Sequence, residues 1–355
     1  MHTTDLKEQY AQHVRRKLLV GYVLLILIAA ATALSLRTGA YPIGFRDIAS
    51  ALIGRANEPT LHVFWNIRMP QVLAALLAGA CLGLAGTAMQ NVLRNPLASP
   101  FTLGVSQGAV FGAVFAIIVL GAGTATVIGT EPAATSSPHI IVVCAFTGSL
   151  VTVAALVLLS TLRDLSPAAI ILAGVALSAF FGSATMLLQY FASDIQVASA
   201  VFWTFGDLKK SQWPQLAVIA VTILPAAAYF LLKGWHFNAM VWGDDTARSL
   251  GVHAYSLRLS ALVLAALVAS VTTAFMGIIG FVGLIAPHIV RIVVGQDHRF
   301  LFPYAALAGG LLLLISDLLA RTVMAPIVLP VGILTSFAGA PLFLYLLMKH
   351  RDIRL

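Results

Sequence analysis

Charged side chains are scarce in this sequence. They make up 10% of the 355 residues, while hydrophobic residues make up 60%; soluble domains carry about 25% charge. A water-soluble globule is excluded, and lipid is the solvent that fits. Cysteine is nearly missing as well. Cys81 and Cys144 each lie inside an apolar stretch, where a thiol acts as a small buried hydrophobe and no disulfide framework is expected. The nine histidines are scattered, none at metal-ligand spacing, and His288 behind Pro287 reads as structural rather than as a ligand. No nucleophile elbow, HExxH or pair of intramembrane acids occurs, so a membrane-embedded enzyme has no candidate residues. The glycine-rich loop ending in Gly-Lys-Ser or Gly-Lys-Thr, which holds nucleotide phosphates, is missing too. Any coupling to ATP must therefore come from a partner. Lys and Arg number 21 against 13 acidic residues, yet no basic cluster or nucleic-acid motif accompanies them. Nucleic acid is not expected as a partner, and the charge is read as topology.

What the chain does have is apolar length. Segments fall at 18–36, 72–93, 103–120, 140–162, 168–191, 216–232, 257–278, 281–294, 304–323 and 331–348. Most can cross about 30 Å of hydrocarbon at ~1.5 Å per residue. The first follows Arg15, Arg16 and Lys17 and contains small residues, as a signal peptide would, but its length favours an uncleaved helix. The segment 281–294 is short, follows Gly277 and Gly280, and carries Pro287, His288 and Arg291. A broken helix of this kind is tolerated only against protein or a water-filled cavity. With the N-terminus in the cytoplasm, Lys and Arg favour that side by about two to one, and an even number of spans returns the C-terminus there. Arg37, Arg46, Arg55 and Arg68 run against the rule. The first three belong to an outer loop, 37–67, that holds two short amphipathic stretches, and Arg68 follows it directly; 131–138 reads as a turn. The fold class is an all-α integral membrane protein of about ten transmembrane helices, one domain over 1–355.

Several patterns carry more detail. Gly104, Gly108 and Gly112 share a helix face, as do Gly79, Gly83 and Gly86, so each set predicts a close helix–helix seam. Arg94-Asn95-Pro96-Leu97-Ala98-Ser99-Pro100 is a rigid turn, because two prolines fix its backbone. In the loop 234–256, Asp244, Asp245, Thr246, Ala247, Arg248, Ser249, Leu250 and Gly251 read as a short helix. Asp244 or Asp245 would cap it, Asp244 would face Arg248 one turn on, and Gly251 would end it. Such a helix is either a lever for another protein or a solvated connector. Asp317 is the one acid well inside an apolar segment, with Arg321 on the same face. Their pairing can cap a helix end or mark a proton or substrate site. A secondary transporter would show several such groups near the midplane, and this chain does not.

From Arg68 onward these motifs resemble the FecCD-type permeases. The likeness rests on Arg68-Met69-Pro70, Ala78-Gly79-Ala80, Leu84-Ala85-Gly86 with Gln90, Arg94-Asn95-Pro96-Leu97-Ala98 and Leu103-Gly104-Val105-Ser106. It continues through Leu172-Ala173-Gly174, Thr246-Ala247-Arg248-Ser249-Leu250-Gly251, Gly280-Phe281-Val282-Gly283-Leu284, Pro287-His288 with Arg291, and Leu329-Pro330-Val331-Gly332. The resemblance implies the type II fold of ABC importer permeases in a bacterial or archaeal cytoplasmic membrane. It implies a second permease subunit, expected as a homodimer, with two cytoplasmic ATPase subunits and an external substrate-binding protein. No cofactor is expected on this chain, and ATP with Mg belongs to the ATPase.

The same resemblance makes residues 244–251 the helix that couples to the ATPase and Asn95, Pro96 and Leu97 a cytoplasmic gate. It makes Arg68 and Arg321 outer-face docking points for the binding protein. By analogy Ser178, Ser183, Thr185 and Gln189 supply polar contacts along the path. Two departures stand out: Gln71, where a second arginine is common, and Pro167, where some members carry a hydroxyl. The expected cargo is an iron chelate, ferric siderophore first, with haem and cobalamin as alternatives.

Overall fold

The computed structural model describes the backbone of residues 2–122, 126–128, 131–133, 138–163 and 166–349. In chain order come α1 (His2–Arg37), α2 (Phe45–Leu52), α3 (Glu58–Val63), α4 (Met69–Val92) and α5 (Val105–Ile118). A two-stranded antiparallel ribbon, β1 (Thr126–Ile128) with β2 (Glu131–Ala133), follows. Then come α6 (Pro138–Arg163), α7 (Pro167–Tyr190), α8 (Asp194–Thr204), α9 (Trp213–Leu232), α10 (Gly234–Val241) and α11 (Asp244–Ser249). The chain closes with α12 (Ala254–Met276), α13 (Val282–Val294), α14 (His298–Thr322) and α15 (Val331–Lys349).

Among the described residues, seven helical stretches are long and apolar enough to cross a bilayer, and three shorter apolar helices, in α5, α13 and α15, complete ten. This is the all-α membrane fold expected from the sequence. Three details differ. The turn expected from residue 131 begins instead as strand β2, paired with the β-branched run of β1; residues 134–137 lie outside the described residues. Helices α8 and α10 lie between the apolar segments read from the sequence. Gly104 does not join the seam of Gly108 and Gly112: it sits at the N-cap of α5 with φ +80°, against Gly174 and Ser178 of α7.

Helix α4 is the axis of the bundle, and nearly all its residues from Ala74 to Val92 are buried. Between helices in lipid the hydrophobic effect contributes little, so close packing has to hold them. Small residues allow it. A Cβ added at Gly79 would lie 2.2 Å from the Gly309 carbonyl oxygen, one at Gly83 2.2 Å from that of Ala305, and one at Gly86 1.8 Å from that of Gly283. The first two contacts join α4 to α14 and the third joins it to α13. A second seam sets Gly108 and Gly112 of α5 against Gly148 and Cys144 of α6. Both cysteines are free.

Helix α13, at 13 residues, is about 20 Å long at ~1.5 Å per residue, too short to span alone. It is packed in protein, with His288 and Arg291 both buried. Pro287 inside it has no N–H to offer the Gly283 carbonyl. Gln90 of α4 serves in its place: its Nε2 donates to Gly283 O at 3.4 Å, and its Oε1 accepts from Arg291 Nη2 at 3.0 Å. One amide thus covers a freed carbonyl and supplies an acceptor for a buried cation.

Candidate functional site

At one end of the bundle α10 leads to the short helix α11. Its N-cap is Gly243, with φ +109° and no side-chain cap, so neither Asp244 nor Asp245 caps it as expected. Nor does Asp244 pair with Arg248. Its carboxylate oxygens both accept from Arg258 Nη2 at 2.9 Å, and Oδ1 also accepts from Arg94 Nη2. Asp244 therefore turns inward to residues far along the chain. Ala247 is fully buried, while Asp245, Thr246, Arg248, Ser249 and Leu250 face outward. Gly251, with φ +79°, ends the helix as expected.

The turn after α4 lies beside it. Arg94 adopts φ +46°, and Asn95 Oδ1 accepts from Leu97 N at 2.8 Å, an Asx turn of the kind asparagine favours. Asn95 and Pro96 are half-buried and Leu97 is exposed. Close by, Asp297 caps α14 and joins three helices. It accepts from Arg299 Nη2 at 2.7 Å and from Asn238 Nδ2 of α10 at 3.0 Å, and pairs with Lys17 of α1 at 3.6 Å. Burial pushes its carboxyl up, but the Arg299 and Asn238 bonds outweigh it and hold the group well below the usual carboxylate range.

At the opposite end the structure corrects an expectation. Of the two arginines expected as docking residues, Arg68 is buried and Arg321 is half-buried with its side chain 8% exposed. Arg68 donates to the carbonyls of Leu36, Arg37 and Tyr41. Arg321 donates to the Ser35 and Thr38 carbonyls at 3.3 and 3.1 Å and pairs with Asp317 Oδ2 at 2.9 Å. The physical reason is the end of α1. A helix leaves its last carbonyls without partners, and these two guanidiniums supply the donors. Gln71 is explained here as well: it is buried, and its Nε2 donates to Asp317 Oδ1 at 2.8 Å. Exposed cations at this end are Arg37, Arg46, Arg55, Lys209 and Lys210.

Along α7, Leu172, Val175, Phe180, Ser183, Met186, Leu187 and Tyr190 share an exposed face. Of the four residues expected to line a path, only Ser183 lies on it. Thr185 is buried and bonds Phe181 O at 2.8 Å, Ser178 bonds Gly174 O at 2.9 Å, and Gln189 is half-buried. Their places around α7 turn Thr185 and Ser178 toward neighbouring elements, Ser178 beside Gly104 at the start of α5, and their hydroxyls bond their own helix backbone. Pro167 occupies the first turn of α7 behind the N-cap Ser166, the position proline suits best; residues 164 and 165 lie outside the described residues. A cavity of about 470 Å³ opens beside the end of α8 and the start of α15, lined by Thr204, Phe205, Ile278, Gly332, Ile333 and Phe337 among others. No sequence signal singled it out, since its walls come from three distant segments.

The family model of the FecCD transport family matches residues 25–349. A Methanocaldococcus jannaschii protein named as an ABC transporter permease is 49% identical over 97% of this chain and 98% of its own. The hemin transport system permease protein of Yersinia pestis is 38% identical, covering 96% and 98%. The cobalamin import system permease protein of Halobacterium salinarum is 37% identical, covering 84% and 76%. A solved inward-facing structure, described as an ABC transporter of metal-chelate type, superposes with a TM-score of 0.80 at 30% identity, over 92% of this chain and 98% of that one.

Proposed function

Since the chain belongs to the FecCD transport family of ABC importer permeases, we propose that it is the membrane half of a pump that imports an iron chelate, ferric siderophore first. The observation that carries the reading is α11. A six-residue helix held by Ala247 and Asp244, with Asp245, Thr246, Arg248, Ser249 and Leu250 turned outward, is shaped to be pushed by another protein. That protein is a pair of ATPase subunits, which bind ATP and Mg and hydrolyse the ATP.

In this reading the α11 end faces the cytoplasm with both termini, and the Arg68 end faces outward. Two copies meet around the path, α7 presents its exposed face to it, and Asn95, Pro96 and Leu97 close its cytoplasmic mouth. Alternating access follows when ATP binding draws the ATPase subunits together and α11 moves with them. An external binding protein delivers the chelate enclosed, so the path needs weak contacts rather than a tight site. Its acidic docking residues meet Arg37, Arg46, Arg55, Lys209 and Lys210.

Haem is the second reading, favoured by the hemin permease at 38% identity against 32% for an Fe(3+)-citrate permease of Bacillus subtilis. The test is uptake into proteoliposomes. The chain with its ATPase and binding protein should accumulate ferric siderophore only with ATP. Uptake by the chain alone down an ion gradient would replace the reading with a secondary transporter. Accumulation of haem or cobalamin instead would move the cargo.

A further inference from the structure

Helix α11 is short, and most of it faces away from the bundle, so any push it receives has few routes inward. Ala247 packs without a directional contact. Asp244 is different, because one carboxylate joins three elements. Arg258, in the second turn of α12, is 6% exposed. It holds both Asp244 oxygens through Nη2 and, through Nε, the Val92 carbonyl at the last residue of α4 at 3.0 Å. Arg94 donates to Oδ1 of the same carboxylate, and its side chain is 38% exposed.

Arg94 is also the first residue of the turn that carries Asn95, Pro96 and Leu97. That turn is fastened to α4: Arg94 N donates to Asn91 O at 3.0 Å and Asn95 N to Gln90 O at 3.1 Å. Arg258 thus fixes the carboxylate to the bundle, and Arg94 links it to the turn. We propose that Asp244 is the positioning residue through which displacement of α11 reaches the turn at 94–97, with Arg94 as its movable arm and Arg258 as its fixed seat. This rests on the reading of the chain as an importer permease.

The experiment uses the whole complex in proteoliposomes and measures uptake and ATP hydrolysis together on unlabelled protein, and label distances on a separate preparation with a spin label replacing the exposed Leu97 in each copy. Arg94→Gln removes the arm while Arg258 still seats Asp244. Its uptake per ATP should fall about five-fold, the most that loss of an exposed ion pair can shift an equilibrium, with basal hydrolysis within about two-fold of wild type. The nucleotide-dependent change in label distance should shrink with it. Arg94→Lys keeps the charge and should restore most of both. Asp244→Asn should show the same loss of uptake per ATP wherever it assembles with the ATPase. Arg94→Gln with wild-type uptake per ATP and a wild-type distance change overturns the positioning role and leaves the importer reading standing. A wild-type complex that takes up no chelate with ATP overturns the importer reading and removes the premise of this one.

Discussion

Gly86→Ala is the sharpest test of how the bundle is held. A Cβ there would sit 1.8 Å from the Gly283 carbonyl oxygen, and reaching ordinary contact at 3.4 Å requires α4 and α13 to part by about 1.6 Å. The obstacle is backbone, so no rotamer change relieves it. Overpacking of a close-packed site costs about 1–3 kcal/mol, and a backbone obstacle belongs at the upper end. The better helix propensity of alanine returns about 1 kcal/mol. The net loss is about 2 kcal/mol, or about 4–8 °C in unfolding temperature at the ~2–4 °C per kcal/mol typical of larger domains. The comparison is Gly182→Ala on α7, where an added Cβ meets nothing within 4 Å and the propensity gain should raise the unfolding temperature slightly. Both are read in the same detergent at one scan rate, because membrane proteins often unfold irreversibly. A Gly86→Ala protein that unfolds at or above the wild-type temperature refutes the seam.

Arg68→Lys should destabilise the protein by about 2 kcal/mol or more, because one ammonium nitrogen cannot occupy both positions from which Nη1 and Nη2 reach the three carbonyls. Hydrogen exchange over 37–67 should quicken in that variant, and unchanged protection would exclude the role of Arg68 as a clamp on the end of α1. For Asp297, the folded group titrates below its unfolded value, so its contribution is full above the unfolded value of about 4 and is lost as pH falls below it. Wild type should therefore lose more unfolding temperature than Asp297→Asn between about pH 5 and 3, and parallel slopes would contradict the assignment. Arg46→Glu and Arg55→Glu should weaken association with the binding protein about ten-fold at low salt and less at high salt. Equal affinities at low salt would remove these arginines from the docking face.

The spans were legible because lipid demands long apolar helices and leaves few alternatives, and even the short helix α13 was visible through Pro287, His288 and Arg291. Glycine spacing foretold close seams but not their partners. Gly104 shows the limit: its i, i+4 spacing continues past the start of α5, where the backbone is no longer helical and the residue turns to α7. Asp244 was misassigned for a related reason. Along a sequence only near neighbours can be paired, so Arg248 looked like its partner, whereas Arg258 and Arg94 reach it through the tertiary fold. Gln71 looked like a departure until Asp317, from α14, met it. The inward turn of Arg68 and Arg321 likewise depends on the end of α1, whose carbonyls no local pattern reveals.

The two ends of the bundle use arginine in physically different ways, and the difference bears on which end can move. At the Arg68 end, guanidiniums meet backbone carbonyls and a carboxylate whose side chain is 5% exposed, Asp317. Removing one partner there leaves a buried charge unsatisfied, at a cost of about 3–5 kcal/mol, so the arrangement resists rearrangement. At the Asp244 end, the Arg94 pair has side chains 38% and 30% exposed, where water and salt compete and an ion pair contributes about 0.2–1 kcal/mol. Such a pair can be made and broken at little cost. Its neighbour Arg258, 8% exposed in its side chain, keeps the carboxylate in place while it does so. In the proposed importer, alternating access would call for a contact that switches next to one that stays, and the α11 end offers both an exposed and a buried arginine on one carboxylate.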